Sequence, residues 1–133
     1  KFTVRDVQLF WVATQQTGTD KNGNASFGWD DPNKSVTLKL GEVDLGELLA
    51  VLNGSKKHIG APKSDKGSGG LFHKNDKGST AMTLERGDSG YSLLLSKKVG
   101  KDAPVRISHQ VTIGEGEVLK VVLEAAIRQS YQW

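Results

Sequence analysis

Twice along this chain, apolar residues that recur at every second position give way to apolar residues that recur at every third or fourth. In SVTLKL, Val36, Leu38 and Leu40 fall on one side and Ser35, Thr37 and Lys39 on the other, the pattern of a half-buried strand. Directly after it, Leu45, Leu48, Leu49 and Leu52 sit at i, i+3, i+4 and i+7, one stripe of a helix that Gly54 ends. Asp44 and Glu47 are placed like a capping pair at its start. The second switch is at VRISHQVTI, where Val105, Ile107, Val111 and Ile113 oppose Arg106, Ser108, Gln110 and Thr112. A helix is expected from Glu115 to about Tyr131, striped by Leu119, Val122, Leu123, Ala126 and Ile127.

Other strands precede each switch. FTVRDVQLFWVATQ and ASFGWD lead into the first, and GLFHKND, STAMTLER and YSLLLSKK into the second. The turn segments TGTDKNGN, DPNK, GDSG and KDAP separate them. Each half thus reads as three or four antiparallel strands followed by a helix. The expected fold is α+β, two antiparallel sheet–helix repeats in the order ββββα-ββββα, because each helix must bury its stripe on a sheet. A chain of 133 residues suits one domain over 1–133, with halves 1–54 and 70–133 joined by a Gly/Lys-rich loop, 55–69.

That loop, within SKKHIGAPKSDKGSGG, invites a nucleotide-binding reading, which its spacing excludes. Gly54 and Gly60 are too far apart for a mononucleotide loop, and Ala61 stands where its lysine belongs. What remains is a strap that carries a net +3 between Asn53 and Gly70, as much as the whole chain. We expect it to be mobile and to face a polyanion.

Several classes drop out. No apolar run approaches the length of a membrane span. With no cysteine there is neither disulfide nor thiolate chemistry, which favours a reducing, intracellular setting without choosing among cytoplasm, nucleoid and organelle. A targeting segment ahead of Lys1 is compatible with this reading. His58, His73 and His109 lack ligand spacing, so no metal and no cofactor is expected. Asp30 and Asp31 open a turn, and Glu115 and Glu117 open a helix, where carboxylates complement the dipole. With no nucleophile elbow either, we expect no enzyme.

Sequence-tolerant binding of single strands needs cations for phosphates and flat faces for bases. The candidate platforms are Trp11, Phe27, Trp29, Phe72 and Tyr91, of which the last four are preferred for their places beside a turn or at strand beginnings. One of the neighbours Phe10 and Trp11 must be buried, and Trp133 reads as a packing or interface residue. The candidate phosphate contacts are Lys39, Lys74, Lys77, Lys97, Lys98 and Arg106, with Lys34, Lys56 and Lys57 from turns and the strap. Gln110 and Ser108 add hydrogen bonds on the face of Arg106. A structural or carbohydrate-binding β module could also show surface aromatics, but it would not need lysines distributed through strands and strap.

The segment FGWDDPNKSVTLKLGEVDLGELLAVLNG, Phe27 to Gly54, resembles the Whirly family of single-stranded-DNA-binding proteins. It shares an aromatic-x-Trp turn, a strand of β-branched and leucine residues, and an acid-x-Gly-x-Leu helix start. LFHKND, DSGYSLLLSKK and VRISHQVTI follow in a similar order, so the resemblance covers most of the chain from Phe10 onward. Folds related to that family include those of kinetoplastid mitochondrial RNA-binding proteins and of positive cofactor four, all of which bind single-stranded or unwound nucleic acid. The resemblance implies single-stranded DNA binding in transcription regulation or DNA maintenance, with RNA binding or annealing as the alternative. It also implies tetramers through helical contacts. The family's Lys-Gly-Lys-Ala-Ala-Leu segment, which supports larger assemblies, has no counterpart here.

Overall fold

The computed structural model describes residues 2–5, 8–61, 64–65 and 69–131, with the backbone alone for residues 2–5, 8, 130 and 131. The first half holds β1 (Phe2–Arg5), β2 (Gln8–Thr14), β3 (Gln16–Thr19), β4 (Ala25–Phe27) and β5 (Ser35–Leu40), then α1 (Glu42–Leu52). The second holds β6 (Leu71–Asn75), β7 (Gly78–Arg86), β8 (Gly90–Lys98) and β9 (Val105–Thr112), then α2 (Ile113–Tyr131). All strand pairs are antiparallel, in a sheet ordered β1-β2-β5, a ribbon β3-β4, and a sheet ordered β6-β7-β8-β9. The α+β class and the two sheet–helix units are therefore as expected.

The first half has five strands because one long strand has two successive partners. Pairing of β2 with β5 ends at Thr14 and Ser35, and pairing of β3 with β4 begins at Gln16 and Phe27. Between them the Gln15 N–H donates to the Lys34 carbonyl at 2.8 Å, and the Gln15 carbonyl accepts from the Gly28 N–H at 3.1 Å. The turn 28–34 bulges out at this junction, shaped by Asp31, whose side chain accepts from the Asn33 N–H at 2.9 Å.

Strand alternation sorts side chains to the two faces. Leu9, Trp11, Val36, Leu38 and Leu40 point inward from the first sheet, and Met82, Leu84, Leu93, Leu95 and Val111 from the second. With Leu45, Leu48, Val51, Leu52, Leu119, Leu123 and Ala126 of the helices they form one core cluster. Val51, outside the expected stripe of α1, is fully buried, while Leu49 is only partly so.

Helix α1 starts two residues before Asp44. Gly41 is the N-cap, and Asp44 one turn later accepts the Gly41 N–H at 2.9 Å, one half of a capping box. Glu47 takes no part in the cap. At the other end Gly54 adopts φ +82, and the Ser55 N–H returns to the Ala50 carbonyl at 2.8 Å, so the expected glycine stop is present. Helix α2 has a full capping box. The Thr112 hydroxyl accepts from the Glu115 N–H at 3.1 Å, and the Glu115 carboxylate accepts the Thr112 N–H at 2.9 Å. This cap moves the start of α2 to Ile113, which leaves the strand face on which alternation had put it.

Candidate nucleic-acid interface

The strap is anchored along its first part, against the expectation of mobility. Ile59 is fully buried, and its N–H donates to the Leu84 carbonyl at 3.1 Å. The Lys57 carbonyl accepts from the Arg86 N–H at 2.7 Å, so this segment extends the edge of β7 beyond the reach of β6. Glu47 is the clasp: its Oε2 accepts from Lys56 Nζ at 2.5 Å and from the Gly60 N–H at 2.9 Å. These two donors, Lys56 foremost, hold the Glu47 carboxyl below the usual glutamate range. Lys63 and Lys66, also part of the strap, lie outside the described residues.

Charge is sorted by element. The two helices carry Glu42, Asp44, Glu47, Glu115, Glu117 and Glu124 against only Lys120 and Arg128. Strands β5, β6, β8 and β9 carry Lys39, Lys74, Lys97, Lys98 and Arg106 and no carboxylate, while β7, between β6 and β8, carries one exposed carboxylate, Glu85, next to Arg86. On the outer face of the second sheet the register sets Phe72, Ala81, Ser96 and Arg106 in one row and Lys74, Ser79 and Lys98 in the next. Phe72 is 65% exposed there. Ser92 and Gln110 form a further cross-strand pair on this face, their side-chain oxygens 3.2 Å apart in a hydrogen bond.

Two clefts flank this face. One, of about 590 Å³, lies between β2–β3 and β9, and Phe27, Trp29, Arg106, Ser108 and His109 line its mouth. Phe27 and Trp29 are each 49% exposed, with ring centroids 6.3 Å apart and planes tilted by 47°. Gln15 ties this cleft together, its Nε2 donating to the Arg106 carbonyl at 3.2 Å. The other, of about 510 Å³, lies where the β6–β7 hairpin stands against the outer face of β2 and β5. Phe10, Lys39, His73, Lys74, Lys77 and Lys97 line it, and none of its lining residues is acidic.

The structure therefore groups the candidates. Phe72, Lys74, Lys98, Arg106 and Gln110 share the outer face, Phe27 and Trp29 the aromatic cleft, and Lys39, Lys77 and Lys97 the basic cleft. Lys97 Nζ also donates to the Pro32 carbonyl, which holds the turn 28–34 against β8. Lys34 stands on that turn, 4.0 Å from Asp31. Lys57, on the strap, is exposed.

Three candidates need correction. Tyr91 is no stacking platform: it is 3% exposed, and its hydroxyl donates to the Leu52 carbonyl at 3.2 Å. It alternates in phase with Leu93 and Leu95, so its ring belongs to the core face. Lys56 is no free phosphate contact, because Glu47 engages it. Trp11 is no platform either, since it points into the core. Trp133 lies outside the described residues. The candidates missed were Phe10, His73, His109 and Gln15. Phe10 pairs with Lys39 across β2 and β5 on the outer face while Trp11 is buried, a choice that alternation from Leu9 would have indicated.

Among the described residues no cluster of three or more His, Asp or Glu side chains is arranged to hold a metal. No helix there is long and apolar enough to cross a membrane.

No protein-family model matches the chain, and no curated protein matches it in sequence. Solved structures do match it in three dimensions. Trypanosoma brucei MRP1/MRP2 superposes with a TM-score of 0.66 at 16% identity, covering 98% of this chain and 73% of that one. The chain shares that fold. A guide-RNA-binding protein complex bound to a guide RNA superposes with a TM-score of 0.58, also at 16% identity, covering 94% of this chain and 74% of that one.

Proposed function

We propose that this protein binds single-stranded nucleic acid with little sequence preference and performs no catalysis. The observation that carries the proposal is the sorting of charge: four strands with five cations and no carboxylate, beside helices rich in acids. A surface of this kind attracts phosphates, and exposed Phe72, Phe27 and Trp29 offer stacking faces that any base can use. Stacking requires unpaired bases, which favours single strands over duplex.

RNA is a second reading beside single-stranded DNA, and the guide-RNA-bound neighbour supports it. Stacking and phosphate contacts serve both sugars. A Whirly-like role in transcription or DNA maintenance would follow from the DNA reading. Titration of labelled single-stranded DNA, RNA and duplex at two salt concentrations is the test. Equal affinity for duplex and single strands, or a flat salt response, would overturn the proposal.

The reading includes a homo-oligomer, with a tetramer as its most specific form. Val118 and Val121 lie on the face of α2 turned away from the core, 66% and 65% exposed, and Val122, expected in the buried stripe, lies at its flank, 38% exposed. An apolar helical face of this kind supports association between copies.

A further inference from the structure

We propose that the basic cleft between the β6–β7 hairpin and the outer face of β2–β5 is an end-site, which receives the terminal phosphate of a strand. This rests on the nucleic-acid reading and adds a distinct ligand to it. The cleft encloses about 510 Å³, whereas the neighbouring outer face of β6–β9 presents cross-strand rows of side chains. Cations reach it from three places in the chain: Lys39 from β5, Lys74 and Lys77 from the β6–β7 hairpin, and Lys97 from β8.

That concentration exceeds what a passing strand needs. An internal phosphodiester carries one negative charge, but a terminal phosphomonoester carries about −1.5 to −2 at pH 7, with three acceptor oxygens. A terminal triphosphate carries more. Phe10, on the cleft wall beside Lys39, offers a ring to the terminal base.

The cleft is also where the phosphate track ends. Lys74 and Lys98 form the last outer-face row before the hairpin, and Lys74 lines the cleft as well. The hairpin tip is held by Asn75, whose side-chain oxygen accepts from the Lys77 N–H at 2.9 Å and the Gly78 N–H at 3.1 Å. His73 is positioned from behind, its buried Nε2 3.2 Å from the Asp44 carboxylate while the side chain as a whole remains 41% exposed. A strand tracking over Lys98 and Lys74 would thus deliver its end to a preformed basic socket.

The test uses one decanucleotide, in DNA and in RNA, with a 5′-hydroxyl, 5′-monophosphate or 5′-triphosphate and a dye at the other end. A 3′-phosphate version covers the opposite polarity. Anisotropy should show the charged ends binding about tenfold tighter than the hydroxyl end, one well-placed charge-assisted contact. The K39Q/K77Q variant should bind all ends alike, whereas K98Q should weaken every oligonucleotide and keep the preference. Competition by free nucleoside triphosphate separates a strand-end site from a free-nucleotide site. Equal binding of all ends by the parent protein overturns the end-site and leaves strand binding standing. If no oligonucleotide binds, whatever its end, both the broader reading and the end-site fail, and tripolyphosphate binding that is lost in K39Q/K77Q would mark a free-polyphosphate cleft instead.

Discussion

Single side chains show how one aromatic differs from another on the same sheet. Phe72 and Tyr91 both sit near strand starts, but opposite phases of alternation expose one and bury the other. Tyr91→Phe should lose one hydrogen bond, about 0.5–1.5 kcal/mol in denaturant melts, and leave nucleic-acid affinity unchanged. Trp29→Ala should do the reverse, weakening binding by about 1–3 kcal/mol per stacked base without altering the salt slope. Two glycines of α2 make a sharper comparison. A Cβ on Gly116 would lie 2.6 Å from Tyr91 Cε2, while one on Gly114 would meet nothing within 4 Å. Alanine in a helix gains up to about 1 kcal/mol over glycine, but overpacking a core ring costs about 1–3. Gly114→Ala should therefore stabilise the protein and Gly116→Ala destabilise it, as thermal melts would show.

At the level of elements, the strap matters most. Its start is fixed by Ile59 in the core and by Glu47 on α1, two contacts that join segments remote from one another in the helix–strap–strand order. Ile59→Ala should cost about 2–5 kcal/mol, the range for emptying a buried aliphatic site, which an unanchored strap would not show. The two lysines should also separate. Lys57→Ala should shallow the log–log salt slope by about 0.7, one single-strand phosphate contact, while Lys56→Ala should leave the slope and lower stability. The clasp has a pH signature. Because Lys56 and the Gly60 N–H lower the Glu47 pKa in the folded protein, its contribution is complete above the ordinary glutamate range. It is lost as pH falls through the folded pKa, so acid should remove more stability from the parent than from Glu47→Gln. Denaturant melts between pH 3 and 7 would check this, and parallel curves would count against the clasp.

For the whole molecule, most acids of the described elements lie on the helices and the cations of β5, β6, β8 and β9 on strands, which sets the proposed face for association apart from the proposed face for phosphates. If about five phosphates are neutralised, the log–log salt slope should be near −3.5, at about 0.7 per contact. Replacing Val118 and Val121 by glutamate should leave the core intact and give a 14.4 kDa species by light scattering, where the parent gives a multiple of that mass. A parent protein already at 14.4 kDa would remove the oligomer from the proposal.

The sequence by itself determined what depends on local periodicity. SVTLKL and VRISHQVT had to be strands with one wet face, and the leucine stripe after Gly41 had to be a helix ended by Gly54, because period and glycine stop act over a few residues. The α+β class followed from two such units. The cap of α2 was legible as well, in Thr112-Ile-Gly-Glu115, though the helix was expected to start only at Glu115. Only tertiary structure decided which charges remain available. Lys56 and Lys57 are adjacent and alike in sequence, yet Glu47, nine residues before Lys56, engages one of them through the fold of the strap. Both clefts were equally hidden, since each is lined by residues from both halves of the chain. A side chain's partner across such a distance depends on how the sheets pack, and periodicity carries no information about that packing.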